Sequence, residues 1–134
     1  MYWILKTEPS TFSLDDLCRA ETTMWDGVRN FQARNNLKSM KVGDLALIYH
    51  SVSEKRLVGI AKVIEPATKD VTASDGDWVA VKVAFVRPLK NPISLAALKN
   101  EKGLLSLSLL RQGRLSVCPV SHDEWQIIMH MAER

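Results

Sequence analysis

Short β-prone segments alternate with short helical segments along this chain, and this alternation limits the folds that it can adopt. Tyr2–Thr7 is an apolar, β-prone run, and Trp78–Val86 alternates apolar and polar residues as a half-buried strand does. Further strands are predicted over Leu45–Ser51, Leu57–Ile64 and Leu115–Val120. Pro88 and Pro92 are expected to end the strand that starts at Trp78. Strands that follow one another through short turns, mixed with short helices, predict one α+β domain over residues 1–134, built around a curved, mostly antiparallel sheet or barrel.

Two helix starts carry a specific capping signal. Ser13 is followed by Asp16, and Ser121 is followed by Glu124, which is the spacing of a capping box. The second of these opens a helix with an apolar stripe of Trp125, Ile128, Met129 and Ala132. A short helix inside irregular backbone is expected between Val28 and Met40, and another over Leu95–Lys99.

Several classes of protein are disfavoured by the same sequence. The longest apolar runs are far shorter than the ~20 residues of a membrane span, and no signal peptide is recognisable near the start. Cys18 and Cys118 are a hundred residues apart, and the histidines are isolated, so neither a disulfide framework nor a metal site is predicted. The chain is therefore expected to be a cytoplasmic monomer that has no cofactor, binds no metal and does not contact a membrane.

Basic residues are concentrated in two segments. Residues 28–41 contain Arg29, Arg34, Lys38 and Lys41 and no acid, and residues 102–122 contain Lys102, Arg111 and Arg114 and no acid. Such segments are what an anionic partner such as nucleic acid requires. They are equally compatible with a solvated basic face.

The segment WDGVRNFQARN, Trp25–Asn35, combines the residue types that read nucleobases. Amides match base edges, aromatic rings stack on base faces, and guanidinium groups bind phosphates. Gly27 allows a close backbone approach or a positive φ. The alternative interpretation is that Trp25 and Phe31 belong to the core and that the polar residues are only solvated.

Polar residues also end two of the predicted strands. His50 and Ser51 close the strand from Leu45, and Lys6, Thr7 and Glu8 close the first strand; pockets commonly open at such positions. A serine hydrolase triad is disfavoured, because no GxSxG motif is present and adjacent His50 and Ser51 would point to opposite faces. Glu8 is expected to pair with Arg29 or Arg34.

Five motifs in order resemble the EVE domain family. They are KTEP (Lys6–Pro9), WDGVRNFQARN (Trp25–Asn35), KVGDLALIYHS (Lys41–Ser51), VGIAKV (Val58–Val63) and LLRQGRLSVCPV (Leu109–Val120). The resemblance implies a PUA-like fold, related to YTH and ASCH domains: a small barrel with flanking short helices and a pocket for one nucleobase. It also implies binding of a modified base in DNA or RNA, such as 5-methylcytosine or its oxidised forms. The implied pocket residues are Lys6, Thr7, Trp25, Asn30, His50, Ser51, Arg114 and Ser116.

The favoured hypothesis is therefore a reader that performs no chemistry. An extruded base would stack on Trp25, and Asn30 and Ser51 would address its polar edge, while Lys6, Arg29, Arg34 and Arg114 would hold phosphates. The alternative is an enzyme acting on a modified nucleotide, with Glu8, Asp26 or His50 as acid–base group. A protein-interaction module would instead show an exposed apolar patch and no basic cleft.

Overall fold

The computed structural model describes all 134 residues and contains one sheet of six strands. The strands are β1 (Tyr2–Thr7), β2 (Thr22–Trp25), β3 (Leu45–His50), β4 (Arg56–Lys69), β5 (Val79–Ser94) and β6 (Val117–Val120). Their order in the sheet is β2-β5-β4-β3-β1-β6. β1 and β3 are parallel, and every other pair is antiparallel. The sheet is therefore mixed but mostly antiparallel.

Five α-helices accompany the sheet, which confirms the predicted α+β class. They are α1 (Leu14–Ala20), α2 (Phe31–Ser39), α3 (Leu95–Lys99), α4 (Ser108–Arg111) and α5 (His122–Glu133), with a 3₁₀ turn at Lys102–Leu104. Both predicted capping boxes are present, at the starts of α1 and α5. In α5 the buried face contains Met131, whereas Met129 of the predicted stripe is only partly buried. None of these helices combines the length and hydropathy needed to cross a membrane.

The core is continuous and almost entirely apolar. Leu5, Leu47 and Leu57 are fully buried on neighbouring strands, and Ile128 of α5 belongs to the same cluster. The buried polar residues are Asp44, His50 and Asp70, and each of them has hydrogen-bond partners. Burial without partners would cost free energy, so these three residues mark positions where the core is tied to loops.

Irregular pairing curves the sheet, but the sheet does not close. The β4–β5 register shifts at several points, one of them between Leu57 and Gly59, where the sequence predicts a bulge. β2 pairs only with β5 and β6 pairs only with β1, so the two edge strands are not bonded to each other. The predicted closed barrel is therefore not confirmed. The structure has an open, strongly curved sheet.

The predicted end of β5 is wrong. β5 continues through Pro88 and Pro92 to Ser94. Strand β2 covers β5 only from Val81 to Ala84, so beyond that point β5 has β4 on one side and no strand on the other. Pro88 lies opposite Gly59, and Pro92 falls where the register between β4 and β5 shifts; edge strands and bulges are the places where a strand tolerates proline.

Candidate functional site

A cavity of about 350 Å³ opens between the ends of β1 and β2. These strands are far apart in the sheet order, but the curvature brings them together, and we call the gap between them the seam. The cavity is lined by Lys6, Thr7, Thr11, Phe12, Thr23, Met24, Trp25 and Asp26. Its volume is at the lower end of the range typical of small-ligand sites. This cavity therefore lies directly next to the segment Trp25–Asn35, which the sequence predicts to read a base.

Aromatic rings from both sides meet in the seam. Trp25, at the end of β2, is 8% exposed and lies edge-on to Phe12, with the ring centroids 6.2 Å apart and an interplanar angle of 81°. The Thr7 hydroxyl donates a hydrogen bond to the Phe12 carbonyl at 2.7 Å and holds the turn that follows β1. Trp25 is therefore a largely buried wall of the cavity and presents only a small surface to an occupant.

Lys6 separates this cavity from a second one of about 200 Å³. Its ammonium group donates to the Gly113 carbonyl at 2.7 Å and lies 5.9 Å from the centroid of the Tyr49 ring. Burial lowers the pKa of the Lys6 ammonium group from its usual value. The second cavity is lined by Lys6, Tyr49, Ser51, Val52, Lys55, Leu95, Leu109 and Gly113. Ser51 consequently lies in the second cavity and not beside Trp25.

A buried carboxylate fixes the loop that follows Trp25. Asp70 accepts hydrogen bonds from Arg29 at 2.8 Å, from the Gly27 amide at 2.9 Å, and from the amide and hydroxyl of Thr72. Gly27 has a φ of 78°, which a residue with a Cβ rarely adopts. Burial alone would raise the pKa of Asp70, but the hydrogen bonds from Thr72, Arg29 and Gly27 outweigh it and hold the pKa far below its usual range. Arg29 is thus paired within the protein.

Asn30 has a structural partner as well. Its side-chain oxygen accepts from the Ala33 amide at 2.9 Å, so Asn30 is the N-cap of α2, and it lines neither cavity. The N-cap spacing before the helix could have revealed this role. Base recognition by Asn30, expected from the sequence, therefore has no support in this arrangement.

Arg34 packs in a surface cluster outside both cavities. Its guanidinium group lies 5.1 Å from the Phe31 ring centroid and 5.8 Å from that of Trp78. It also donates to the Asn35 side chain and to the Asp77 carbonyl. The predicted pairing of Glu8 with Arg29 or Arg34 is wrong, because Asp70 and Asp77, in the β4–β5 connection, supply the carboxylates instead.

His50 faces α1 and, with Glu54, lines a third and larger cavity of about 460 Å³, away from the seam cavity and the second cavity. Its Nε2 accepts from the Leu14 amide at 3.0 Å, and its Nδ1 lies 3.0 Å from the Glu54 carboxylate, so the ring is held as the tautomer with a proton on Nδ1. His50 therefore supports the start of α1. Its two nitrogens are both engaged, which leaves none for acid–base chemistry at Trp25.

Near the second cavity, three exposed cations form no ion pair: Lys55, Arg111 and Arg114. Lys55 lines that cavity, and Arg111 and Arg114 flank Gly113, whose carbonyl binds Lys6. The Ser116 carbonyl accepts from the Lys6 amide at 3.0 Å and thereby aligns β1, but Ser116 lines neither cavity. Of the predicted phosphate ligands, Arg29 and Arg34 have carboxylate partners, whereas Lys6 and Arg114 have none.

Sequence reasoning missed part of the lining. Thr11 and Phe12 follow β1, Thr23 and Asp26 come from β2 and its end, and Lys55 comes from the turn after β3. A polar turn directly after a buried strand was the available signal for Lys55. β2 itself was not predicted, because its polar sequence shows no clear alternation.

Comparisons with known proteins identify the family of the chain. The sequence profile of the EVE domain matches residues 1–131. The chain belongs to the EVE domain family. Thymocyte nuclear protein 1 of Mus musculus is 34% identical to this EVE domain, over 98% of this chain and 74% of the relative.

Solved structures support the same assignment. Human THYN1, whose crystal structure is of a complex with 5-methylcytosine containing DNA, is 33% identical with a TM-score of 0.92, over 99% of this chain and 98% of that chain. The ASCH protein from Zymomonas mobilis has a TM-score of 0.61 at 12% identity, over 97% of this chain and 94% of that chain, which shows a shared fold alone.

The expected cytoplasmic location is wrong. The curated relatives from Mus musculus and Homo sapiens carry the name of a nuclear protein, which points to the nucleus. The lack of a membrane span and of a recognisable leader is common to nuclear and cytoplasmic proteins, so the sequence contained no basis for choosing the cytoplasm.

Proposed function

We propose that this EVE domain, acting as one domain and as a monomer, binds a modified cytosine of DNA in the seam cavity and does not alter it. The observation that carries the proposal is the cavity between β1 and β2, with Trp25 on its wall and unpaired cations nearby. Human THYN1, a relative of very similar fold, forms a complex with 5-methylcytosine containing DNA.

The polar lining matches the edge of cytosine. Asp26 is exposed at the cavity and makes no side-chain hydrogen bond within the protein, and Lys6, whose ammonium group donates to the Gly113 carbonyl, also belongs to the lining. Carboxylates accept from the 4-amino group of cytosine, and an ammonium group donates to its ring nitrogen or carbonyl oxygen. Thymine has a carbonyl where cytosine has the amino group, so Asp26 would disfavour thymine. Met24 and Phe12 supply apolar surface for a 5-methyl group.

A binding panel with and without Asp26 tests this proposal. The protein is expected to bind a short oligonucleotide with 5-methylcytosine more tightly than one with cytosine, by roughly fourfold for one buried methyl group. It should bind thymine more weakly than cytosine. In Asp26→Asn, the preference for cytosine over thymine should fall about five- to tenfold, since the amide can donate to the thymine carbonyl as well as accept from the cytosine amino group. Fluorescence anisotropy measures all of these affinities.

Asp75→Asn is the matched control, because Asp75 is exposed, unpaired and outside both cavities. It should leave the preference unchanged. Equal binding of all bases by the native protein would contradict the proposal, as would an unaltered preference in Asp26→Asn. RNA of the same sequence belongs in the panel as the comparison with DNA.

Phosphates next to the bound base are expected to lie at the second cavity. Lys55, Arg111 and Arg114 are available there, whereas Arg29 and Arg34 have carboxylate partners. Lys55→Gln should weaken binding several-fold for every base tested and reduce the slope of log affinity against log salt by about 0.7 on single strands. Lys90→Gln, an exposed and unpaired position on β5 outside both cavities, is the control. An unchanged salt slope in Lys55→Gln would place the phosphates elsewhere.

The enzyme alternative lacks a supporting arrangement. Glu8 is exposed and does not line the seam cavity, and His50 is bound to Leu14 and Glu54. Asp26 lines the seam cavity but has no side-chain partner that would position or activate it for proton transfer. Acid–base catalysis requires a group within hydrogen-bond reach of the reacting atoms. Binding without chemistry is therefore the function that the geometry supports best.

A further inference from the structure

Two stacked aromatic rings form an exposed surface outside both cavities. Phe31, the first residue of α2, lies against Trp78 with the ring centroids 5.2 Å apart and an interplanar angle of 19°. Phe31 is 66% exposed. A large apolar ring at this degree of exposure contributes little to folding, whereas a polar residue would serve equally well at the start of a helix. We call Phe31 and Trp78, with the guanidinium groups of Arg29 and Arg34, the platform.

The outer face of Phe31 is open. The Arg34 guanidinium carbon is 5.1 Å from the Phe31 centroid and 5.8 Å from the Trp78 centroid. Since the two rings are themselves 5.2 Å apart, these three points form a nearly equilateral triangle, so Arg34 lies beside the pair. A group on the far face of Phe31 would be about twice as far from Trp78. One face of the Phe31 ring therefore remains free for a further planar group.

The platform is held in place before any partner binds. Arg34 bonds to Asn35 and to the Asp77 carbonyl, and Lys38 binds the Asp77 carboxylate at 2.6 Å. Arg29 lies 5.7 Å from the Trp78 centroid and is fixed by Asp70. Little side-chain freedom is then left to lose on binding, and such preorganisation favours affinity.

We propose that the open face of Phe31 stacks on a base that neighbours the base in the seam cavity, on the same strand. The proposal rests on the function proposed above. Phe31 comes six positions after Trp25 in the chain, so the platform lies at most about 20 Å from the cavity wall. A short oligonucleotide spans this distance. Stacking on an aromatic face tolerates any base, so this contact adds affinity without sequence preference.

The test compares a free nucleoside with an oligonucleotide. In Phe31→Ala, binding of a short single strand with a central 5-methylcytosine should weaken about five- to 30-fold. Binding of free 5-methyl-2′-deoxycytidine, which cannot reach the platform, should not change. Phe31→Tyr keeps the ring and should bind like the native protein, whereas Phe31→Leu keeps an apolar side chain but should bind like Phe31→Ala. A thermal melt should show similar stability for all variants, because the ring is exposed.

Three results would contradict the proposed stacking of a base on Phe31. They are full oligonucleotide affinity in Phe31→Ala, native oligonucleotide affinity in Phe31→Leu, and an equal loss of affinity for the nucleoside and the oligonucleotide in Phe31→Ala. The cavity proposal fails separately. If Trp25→Leu leaves oligonucleotide binding intact while Phe31→Ala weakens it, the base does not enter the seam, but the platform stands. If Phe31→Ala weakens binding of an aromatic peptide and not of the oligonucleotide, the platform serves a protein partner and the proposal is wrong.

Discussion

Trp25→Leu is expected to weaken binding of an oligonucleotide with 5-methylcytosine about five- to tenfold, at the lower end of what an aromatic ring contributes, because only a small part of Trp25 faces the cavity. Base stacking on an aromatic side chain contributes about 1–3 kcal/mol, and leucine offers no flat surface. The Trp25 side chain forms part of the cavity wall and is 8% exposed, so most of it packs in the core. Anisotropy of a labelled oligonucleotide measures the change. The free nucleoside should lose affinity as well, because it occupies the same cavity.

Trp125→Leu controls for the loss of stability. Trp125 is 5% exposed in α5 and stacks on Tyr2 with the centroids 4.4 Å apart, away from both cavities. Both substitutions remove a buried indole, so each should lower the free energy of unfolding by about 3 kcal/mol. Only Trp25→Leu should change the affinity of the folded protein. A similar loss of affinity in both variants would mean that weakened folding, and not a lost stacking partner, explains the result.

Asp70→Asn is expected to lower the free energy of unfolding by about 2–3 kcal/mol at neutral pH, because Arg29, Gly27 and Thr72 lose a charged acceptor. The folded pKa of Asp70 lies far below its usual value. Its contribution is therefore fully present above the unfolded pKa of about 3.9 and decreases as the pH falls below it. The difference in the free energy of unfolding between the native protein and Asp70→Asn should therefore become smaller as the pH is lowered. Urea unfolding across this pH range measures it.

The same substitution should also weaken binding, since the Gly27 amide anchors the loop that positions Asp26. Asp75→Asn, in the same connection but exposed and unpaired, removes the same charge without removing a contact and should match the native protein in both assays. A constant gap between Asp70→Asn and the native protein down to low pH would show that the carboxylate does not act through its charge.

Local signals in the sequence predicted the elements that depend on near neighbours. The capping boxes of Ser13 with Asp16 and of Ser121 with Glu124 require only a spacing of three residues, and both are present. β1 was predicted with its observed bounds, because its apolar run ends at a glutamate and a proline. The bulge at Gly59 was equally visible, since glycine inside a strand is typical of one.

Apart from Asn30, whose N-cap role is local, the misplaced site predictions depend on contacts between distant residues. Asp70 binds Gly27 and Arg29 across more than forty residues, and no pattern in the sequence indicates which carboxylate will reach an arginine. The parallel pairing of β1 with β3 sets Lys6 opposite Tyr49 and so places Lys6 between two cavities. β1 and β2 converge because the sheet is curved, and the curvature arises from register shifts between strands. No single residue type in the sequence predicts these shifts.

The open seam has a consequence for how this site can change. No backbone hydrogen bonds connect β1 to β2, so side chains such as Phe12 and Trp25 alone determine the width between them. Exchanging those side chains would resize the opening while every ladder of the sheet stays intact. A scaffold of this kind can therefore be adapted to bulkier or smaller bases by a few substitutions that leave the strand pairing unchanged, and the cost to folding is confined to the packing of the exchanged side chains.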